Sequence, residues 1–292
     1  MTWVNAIVQG ILLGSVYALL ACGISLMFGV MRIINLAHGD LAVVGAYLVW
    51  VLVDRTSMSP FVATVLMLPA MLVIGYALQL LLLDRSLRGG PLVPLLTTFG
   101  LAIVIQNILL QVFSPDVHSL GGSAGRITTA SWKITDQLSI SGLGVLILAV
   151  AVAVLGGLQL FLSRTKAGRE MRATAQDRDT AQLVGINSRA VYARATALAV
   201  ATAGLAGAFI GIRSTFDPSS GPTQLIFGFE AVVIGGLGSL WGTLIGGIVL
   251  GVAQSIGEQI DPQYSILAGH LVFLAVLASP RGGILVARRA FA

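Results

Sequence analysis

A few polar side chains lie in or beside long apolar runs of this sequence, and their chemistry could serve a function. His38 and Asp40 stand at the start of one run, and Glu230 lies inside another. Imidazoles and carboxylates carry protons or bind polar solutes, so these three residues could do either. Gln106 and Asn107 lie inside a further run, where side-chain amides more often join helices than bind a ligand.

The composition places these residues in a membrane. Hydrophobic residues make up 56% of the 292 residues and charged residues only 10%. A soluble domain of this length carries far more charge, so the sequence predicts an all-α polytopic membrane protein. We expect one transmembrane domain over residues 1–292. The single cysteine, Cys22, excludes a disulfide framework.

Each carboxylate has a functional and a structural interpretation. An ionisable group in hydrocarbon costs several kcal/mol, so it must face protein or water. Asp40 is interpreted first as a helix cap at the membrane surface, and second as part of a pathway. Glu230 either faces an aqueous pathway or contacts a neighbouring helix, and the sequence leaves both open.

Common catalytic and nucleotide-binding motifs are missing. The sequence contains no P-loop pattern and no H-E-x-x-H or G-x-S-x-G pattern. The three histidines, His38, His118 and His270, are scattered along the chain. The basic residues cluster beside apolar runs, as topology determinants do. We therefore expect no enzyme activity, no bound metal or cofactor, and no nucleic-acid partner.

The apolar runs predict about eight transmembrane helices, some of them broken or re-entrant. They cover residues 4–28, 40–53, 61–83, 95–113, 143–162, 191–212, 227–256 and 264–277. Residues 114–140 form a polar loop. The run 227–256 contains Gly235, Gly236 and Gly238, and it is too short for two full crossings. We therefore predict a re-entrant pair of half-helices meeting at these glycines.

The polar segment 35–40 before the second run is interpreted as a related interruption. Interrupted helices in both halves of a chain indicate a translocation pathway. Close helix packing is the alternative explanation, because membrane helices often use glycine for it.

Residues 164–194 form a polar loop that holds seven of the seventeen basic residues. This density predicts a cytoplasmic loop, because Lys and Arg translocate poorly. Asp179 and Gln182 predict a capping box, and Gly185 fits the position after a helix end. The short helix between them is either a surface for a soluble partner or part of a solvated loop that fixes topology.

Orientation follows from the same charge bias. With the loop 164–194 inside, thirteen of the seventeen basic residues lie inside, including those of the tail after residue 279. The four outside are Arg55, Arg126, Lys133 and Arg213. The amino terminus is then outside and the carboxy terminus inside.

Four motifs occur in order along nearly the whole chain. They are Asn-Leu-Ala-His-Gly-Asp at 35–40, Thr-Thr-Phe-Gly-Leu-Ala at 97–102, Ala-Gln-Leu-Val-Gly-Ile-Asn at 181–187 and Gly-Gly-Leu-Gly-Ser-Leu-Trp-Gly at 235–242. Together they resemble the shorter permease subunits of branched-chain amino acid ABC importers. The tail segment Ser-Pro-Arg-Gly-Gly at 279–283 departs from that family's pattern.

The resemblance implies a bacterial inner-membrane protein with several partners. Two ATPase subunits would bind ATP, a second permease would complete the pathway, and an external binding protein would deliver branched-chain amino acids, urea or short amides. The ATPase contact would be formed by Asp179, Thr180, Ala181, Gln182, Leu183, Val184, Gly185, Ile186 and Asn187. The pathway candidates are Asn35, His38, Asp40, Gln106, Asn107, Glu230, Gly235, Gly236 and Gly238. A self-contained secondary transporter or channel is the alternative, and it would need more intramembrane carboxylates.

Overall fold

Helices make up most of the described chain. The computed structural model describes residues 2–90, 92–135 and 138–279. Its α-helices are α1 Thr2–Met31, α2 His38–Thr56, α3 Pro60–Leu78, α4 Asp84–Ser86, α5 Leu92–Phe113, α6 Arg126–Thr129, α7 Gly142–Arg164, α8 Lys166–Gln176, α9 Arg178–Leu183, α10 Ser188–Arg213, α11 Gly221–Gly235, α12 Leu240–Ile260 and α13 Tyr264–Ala278. Its strands are β1 His118–Ser119, β2 Ser131–Thr135, β3 Leu138–Ser141 and β4 Thr215–Phe216.

Within these ranges, six helical stretches are long and apolar enough to cross a membrane. They are α1, α3 with its continuation into α4, α5, α7, α10 and α12. The apolar helices α11 and α13 are shorter. The prediction of an all-helical, multi-pass membrane protein is confirmed. Most of the predicted apolar runs lie within single helical stretches, but the run 227–256 covers parts of both α11 and α12.

Helix α1 packs backbone against backbone with α12. A side chain at Gly10 would overlap the backbone of Gly251, and one at Gly14 would overlap that of Gly247. Glycine permits this close approach of the two backbones because it has no Cβ to stand between the helices. The order of these contacts shows that α1 and α12 run antiparallel.

Helix α10 is buried along nearly its whole length and packs against α2 and α3 in the same way. Gly45 of α2 lies against Gly204, and Gly75 of α3 lies against Ala197. Small residues therefore hold the centre of the bundle together, while large apolar side chains face outward from α3, α5 and α13.

The chain between α1 and α2 turns back into the bundle. Arg32, directly after α1, adopts a left-handed φ of 54°. His38, the first residue of α2, is 3.1 Å through Nε2 from the carbonyl oxygen of Leu20. Leu20 precedes the end of α1 by about 16 Å of helix. Helix α2 therefore starts beside the middle of α1, which agrees with the predicted interruption.

A second break separates α11 from α12 at the predicted glycine cluster. Gly236 and Gly238 adopt φ values of 97° and 84°, which residues with a Cβ resist. Gly235 lies against Gly242 so closely that a side chain on either would overlap the other's carbonyl group. The two helices therefore form a tight hairpin.

The hairpin differs from the predicted pair of half-helices. Helix α12 has 21 residues and is long enough to cross a membrane alone. Helix α11 has 15 residues, which is about 22 Å of helix. The prediction from the run 227–256 underestimated the lengths of both helices. Helix α11 begins before this run, with polar Thr223 and Gln224 in its first turn, and α12 continues past Glu258. The half-helix prediction is wrong for α12.

The two ends of the bundle carry different structures. At one end β1 pairs with β4 and β2 with β3, both antiparallel, within the polar loop and the segment after α10. The start of α1 lies at this strand end, because Gln9 donates a 2.7 Å hydrogen bond to the carbonyl of Ser139. The opposite end of the bundle carries the loop 164–194, and we call it the loop end. There Met171 of α8 belongs to one apolar cluster with Met27 and Met31 of α1. The tail at 280–292 lies outside the described residues. It carries three arginines and most of the segment 279–283, which departs from the family's pattern.

Candidate functional site

The break before α2 brings Asn35 and His38 into the buried interior. The side-chain oxygen of Asn35 accepts a 3.0 Å hydrogen bond from the backbone N–H of Ala37, which fixes the turn into α2. The His38 side chain is fully buried. Its Nδ1 has no hydrogen-bond partner in the described ranges.

Asp40 joins three helices instead of capping one. It is 1% exposed, and its Oδ1 accepts a 2.9 Å hydrogen bond from Nε2 of Gln106 on α5. Gly221, the first residue of α11, lies against the same carboxylate. The cap position of α2 is Ala37, and Asp40 occupies the first turn, where the helix dipole favours its charge. This buried position replaces the expected cap at the membrane surface.

Helix α5 points its two central amides in different directions. Gln106 faces the bundle through Asp40, whereas Asn107 is exposed and, among the described residues, donates only to the carbonyl of Ile103, at 2.8 Å. Near the start of α5, the Thr98 hydroxyl accepts a 3.1 Å hydrogen bond from the backbone N–H of Leu36. An exposed amide in an apolar helix favours contact with water or another chain over contact with lipid.

Glu230 belongs to a separate polar group between α1, α11, α12 and α13. It is 3% exposed, and its Oε1 lies 2.5 Å from Nδ1 of His270 on α13. Nearby, the Tyr17 hydroxyl donates a 2.7 Å hydrogen bond to the side-chain oxygen of Gln254. Oε2 of Glu230 and Nε2 of Gln254 have no partner among the described residues. No hydrogen bond between described residues joins this group to Asp40.

Two open cavities lie at the strand end. Their volumes are about 520 and 420 Å³, and both are lined by Trp50 and Asp54. The smaller one is also lined by Arg55, Asp116 and His118. The strand end therefore presents aromatic and charged side chains beside open space.

The loop 164–194 folds into two capped helices. Thr165 caps α8, and Asp177 caps α9 by accepting hydrogen bonds from the backbone N–H groups of Asp179 and Thr180 at 3.0 and 3.2 Å. Hydrogen bonds from Thr180, through its hydroxyl and its N–H, lower the pKa of Asp177. The predicted cap at Asp179 is therefore wrong by two residues. Gln182 bonds to Ser188 instead of closing a capping box.

The end of α9 agrees with the sequence. Gly185 adopts a φ of 84°. Its N–H bonds to the carbonyl of Gln182, and the N–H of Ile186 bonds to that of Ala181, both at 3.0 Å. This is the Schellman arrangement, which needs a glycine-like residue at Gly185.

Helix α9 turns its apolar residues in two directions. Ala181 is 3% exposed and packs inward, whereas Leu183 is 87% exposed and Val184 is 72% exposed. These two side chains form an adjacent apolar pair at the loop end, which we call the apolar tip. The helix is six residues long, so its caps hold the tip in place.

Sequence reasoning missed several polar residues that the structure pairs. Gln254 and His270 lie inside apolar runs, and the same criterion that selected Glu230 would have found both. Asp84 and Arg189 come from helix ends far apart in sequence, with Asp84 Oδ2 and Arg189 Nε 3.2 Å apart. No local pattern predicts that contact.

Comparison with known proteins agrees with this architecture. Residues 6–277 match the family described as branched-chain amino acid transport system, permease component. The chain is 31% identical to the high-affinity branched-chain amino acid transport system permease protein BraD of Pseudomonas aeruginosa, over 96% of this chain and 95% of that one. It is 27% identical to the corresponding permease protein LivH of Escherichia coli K12, over 94% and 92% of the two chains.

A more distant similarity concerns another solute. The chain is 29% identical to the fructose import permease protein FrcC of Rhizobium meliloti, over 63% of this chain and 54% of that one. No solved structure matches the chain. The family match disfavours the alternative of a self-contained secondary transporter or channel. The chain is a member of the family of branched-chain amino acid transport system permease components.

Proposed function

We propose that this chain is the membrane-spanning permease subunit of an ATP-driven importer for branched-chain amino acids or a related small polar solute. The names of its relatives support the solute class, and the fructose permease among them shows that solutes differ within the wider group. The chain itself binds no ATP and performs no catalysis in this proposal.

The observation that carries the proposal is the apolar tip of α9. Leu183 and Val184 are exposed at the end of a short helix that is capped at both ends, within the strongly basic loop 164–194. Exposed apolar pairs of this kind indicate a protein partner. We assign the partner as two ATPase subunits, which contact residues 179–187 and bind the ATP. Their closure on ATP moves α9 as a rigid body.

The solute pathway is assigned to the two helix breaks and the exposed side of α5. Asn107 faces outward from α5, so a second permease subunit lies against that face and the solute passes between the two. The pathway candidates Asn35, His38, Asp40 and Gln106 stand behind this face, at the break before α2. Glu230, with Gly235, Gly236 and Gly238, forms a second group at the hairpin of α11 and α12.

The orientation completes the proposal. The loop end faces the cytoplasm, so the amino terminus is outside and the carboxy terminus inside, in a bacterial inner membrane. The predicted transmembrane helices, about eight in number, then include the two broken segments, within one permease domain over residues 1–292. The strand end, with its two open cavities, receives the external solute-binding protein.

Thiol labelling tests the orientation. In a Cys22→Ala background, Ser123→Cys at the strand end should react with a membrane-impermeant maleimide in intact cells. Gln176→Cys at the loop end should react only after the cells are opened. Both positions are exposed, so burial does not explain a difference. Labelling of Gln176→Cys alone in intact cells would reverse the orientation.

Leu183→Asp tests the ATPase contact. A charge at the centre of an apolar interface should weaken recruitment of the ATPases by about tenfold or more, as for other interface hot spots. Leu183 is almost fully exposed, so membrane insertion should not change. Co-purification of the ATPases with the tagged permease measures the effect.

The matched control is Gln176→Asp, which adds the same charge at an exposed position of α8. It should leave recruitment unchanged. Equal recruitment by Leu183→Asp and the wild-type protein would remove the apolar tip from the ATPase contact.

A further inference from the structure

A π-helical turn interrupts the end of the third membrane helix. It covers Gln79–Leu83, between α3 and α4, and the N–H of Asp84 bonds to the carbonyl of Gln79. Such a turn disturbs the regular hydrogen-bond ladder and opens it to an outside group. Here the carbonyl of Leu80 accepts a 3.4 Å hydrogen bond from Nη2 of Arg189.

Asp84, at the end of this turn, is a buried carboxylate with two cationic partners. It is 6% exposed, and its Oδ2 is 3.2 Å from Nε of Arg189. Arg88 reaches the same oxygen at 3.4 Å, but from the same end of the segment, four residues further on. Of the two partners, Arg189 is the one that comes from another membrane helix.

A second polar contact joins the same two helices. The side-chain oxygen of Gln79 accepts a 2.7 Å hydrogen bond from the hydroxyl of Thr196, and both residues are fully buried. Thr196 lies two helical turns beyond Arg189 on the same face of α10. The end of the third membrane helix and the start of α10 are therefore held together at two levels.

The start of α10 is in turn fixed to α9. The Schellman turn ends α9 at Gly185, and Asn187 caps α10 almost immediately afterwards. Nε2 of Gln182 on α9 also donates a 3.3 Å hydrogen bond to the hydroxyl of Ser188. Arg189 is the next residue, so a displacement of α9 reaches it without a flexible linker.

We infer that Arg189 is a positioning residue of the transport cycle: with Asp84 and the Leu80 carbonyl it forms the joint that carries movement of α9 into the membrane helices. This inference rests on the proposed docking of ATPases on α9. Arg189 contacts two acceptors on the partner helix at once, through Nε and Nη2. A planar guanidinium holds these two donors in a fixed relative geometry, which the rotating ammonium of lysine does not. The joint therefore transmits rotation as well as displacement.

The test compares Arg189→Gln with Arg88→Gln in the full importer, reconstituted in liposomes with its ATPases and binding protein. Both changes remove one cation from Asp84, but only the first cuts the link between helices. Arg189→Gln should keep the ATPases bound and hydrolysing ATP. Its solute uptake per ATP hydrolysed should fall by about fivefold or more, at the lower end of coupling effects between sites.

Two further variants sharpen the test. Arg189→Lys keeps the charge but loses the planar fork, so it should recover part of the uptake per ATP. Arg88→Gln should behave as the wild-type protein. A wild-type ratio in Arg189→Gln, an equal loss in Arg88→Gln, or loss of the ATPases from Arg189→Gln would each overturn the joint. Failure of the docking proposal is distinct, because it appears as ATPases that remain bound to Leu183→Asp.

Discussion

Replacing Gly235 with valine should prevent the α11–α12 hairpin from closing and should largely abolish the yield of folded protein. The new side chain would meet the carbonyl group of Gly242, which is backbone and has no other rotamer. Overpacking of a rigid core costs about 3 kcal/mol, a large share of a typical folding free energy. The yield of monodisperse protein in detergent and its thermal unfolding measure the loss.

Gly157→Val is the matched control. Gly157 lies on α7, and no atom stands within 4 Å of a Cβ added there. The same substitution should therefore leave yield and unfolding temperature unchanged. A similar loss in both variants would show that valine is poorly tolerated in these helices generally. The loss in Gly235→Val could then not be attributed to the close contact in the hairpin.

His270→Ala should produce the second large effect. The change leaves the buried carboxylate of Glu230 without the partner that now lies 2.5 Å away. Leaving a buried polar or charged group without its partner costs about 1–3 kcal/mol or more. The yield of folded protein should fall sharply, whereas Leu271→Ala, on the exposed side of the same helix, should have little effect.

A double variant separates stability from transport. Glu230→Leu with His270→Leu removes both partners, and replacing both partners of a polar contact by apolar groups can be nearly neutral for stability. We expect its yield to recover and its solute uptake to remain low, because the proposal places Glu230 on the pathway. Wild-type uptake by the folded double variant would make the pair a structural contact only.

Hydropathy was enough to predict the helical class, while the polar segment at 35–40 and the glycines at 235–238 marked the two breaks. Apolar runs mark membrane helices because lipid demands an apolar surface over a fixed length. Glycines at Gly236 and Gly238 marked the hairpin because their backbone angles exclude most other residues. Gly185 identified the end of α9 for the same reason.

Contacts between distant segments could not be predicted in this way. Asp40 looked like a cap because it precedes an apolar run, but Gln106 and Gly221 arrive from elsewhere in the chain. The cap of α9 was assigned to Asp179, but Asp177, two positions earlier, is an equally good capping residue. The residue type alone does not distinguish the two positions. The length of helix α12 was underestimated because the apolar run ended at residue 256, before the polar residues Glu258 and Gln259 with which the helix continues. The error at Asp40 arose because its partners in space, rather than its neighbours in sequence, decide its role.

The glycine contacts between α1 and α12 also limit how the molecule can deform. Where two backbones interlock, one helix cannot slide along the other without lifting over the next carbonyl group. Together with α10 these helices act as a stiff frame. Helix α5 is different, because it buries only the narrow stripe Pro94, Thr98, Ala102 and Leu109. We therefore expect α5 to move more readily than the frame, and we expect substitutions on its exposed face to lower folding stability far less than substitutions among the interlocked glycines.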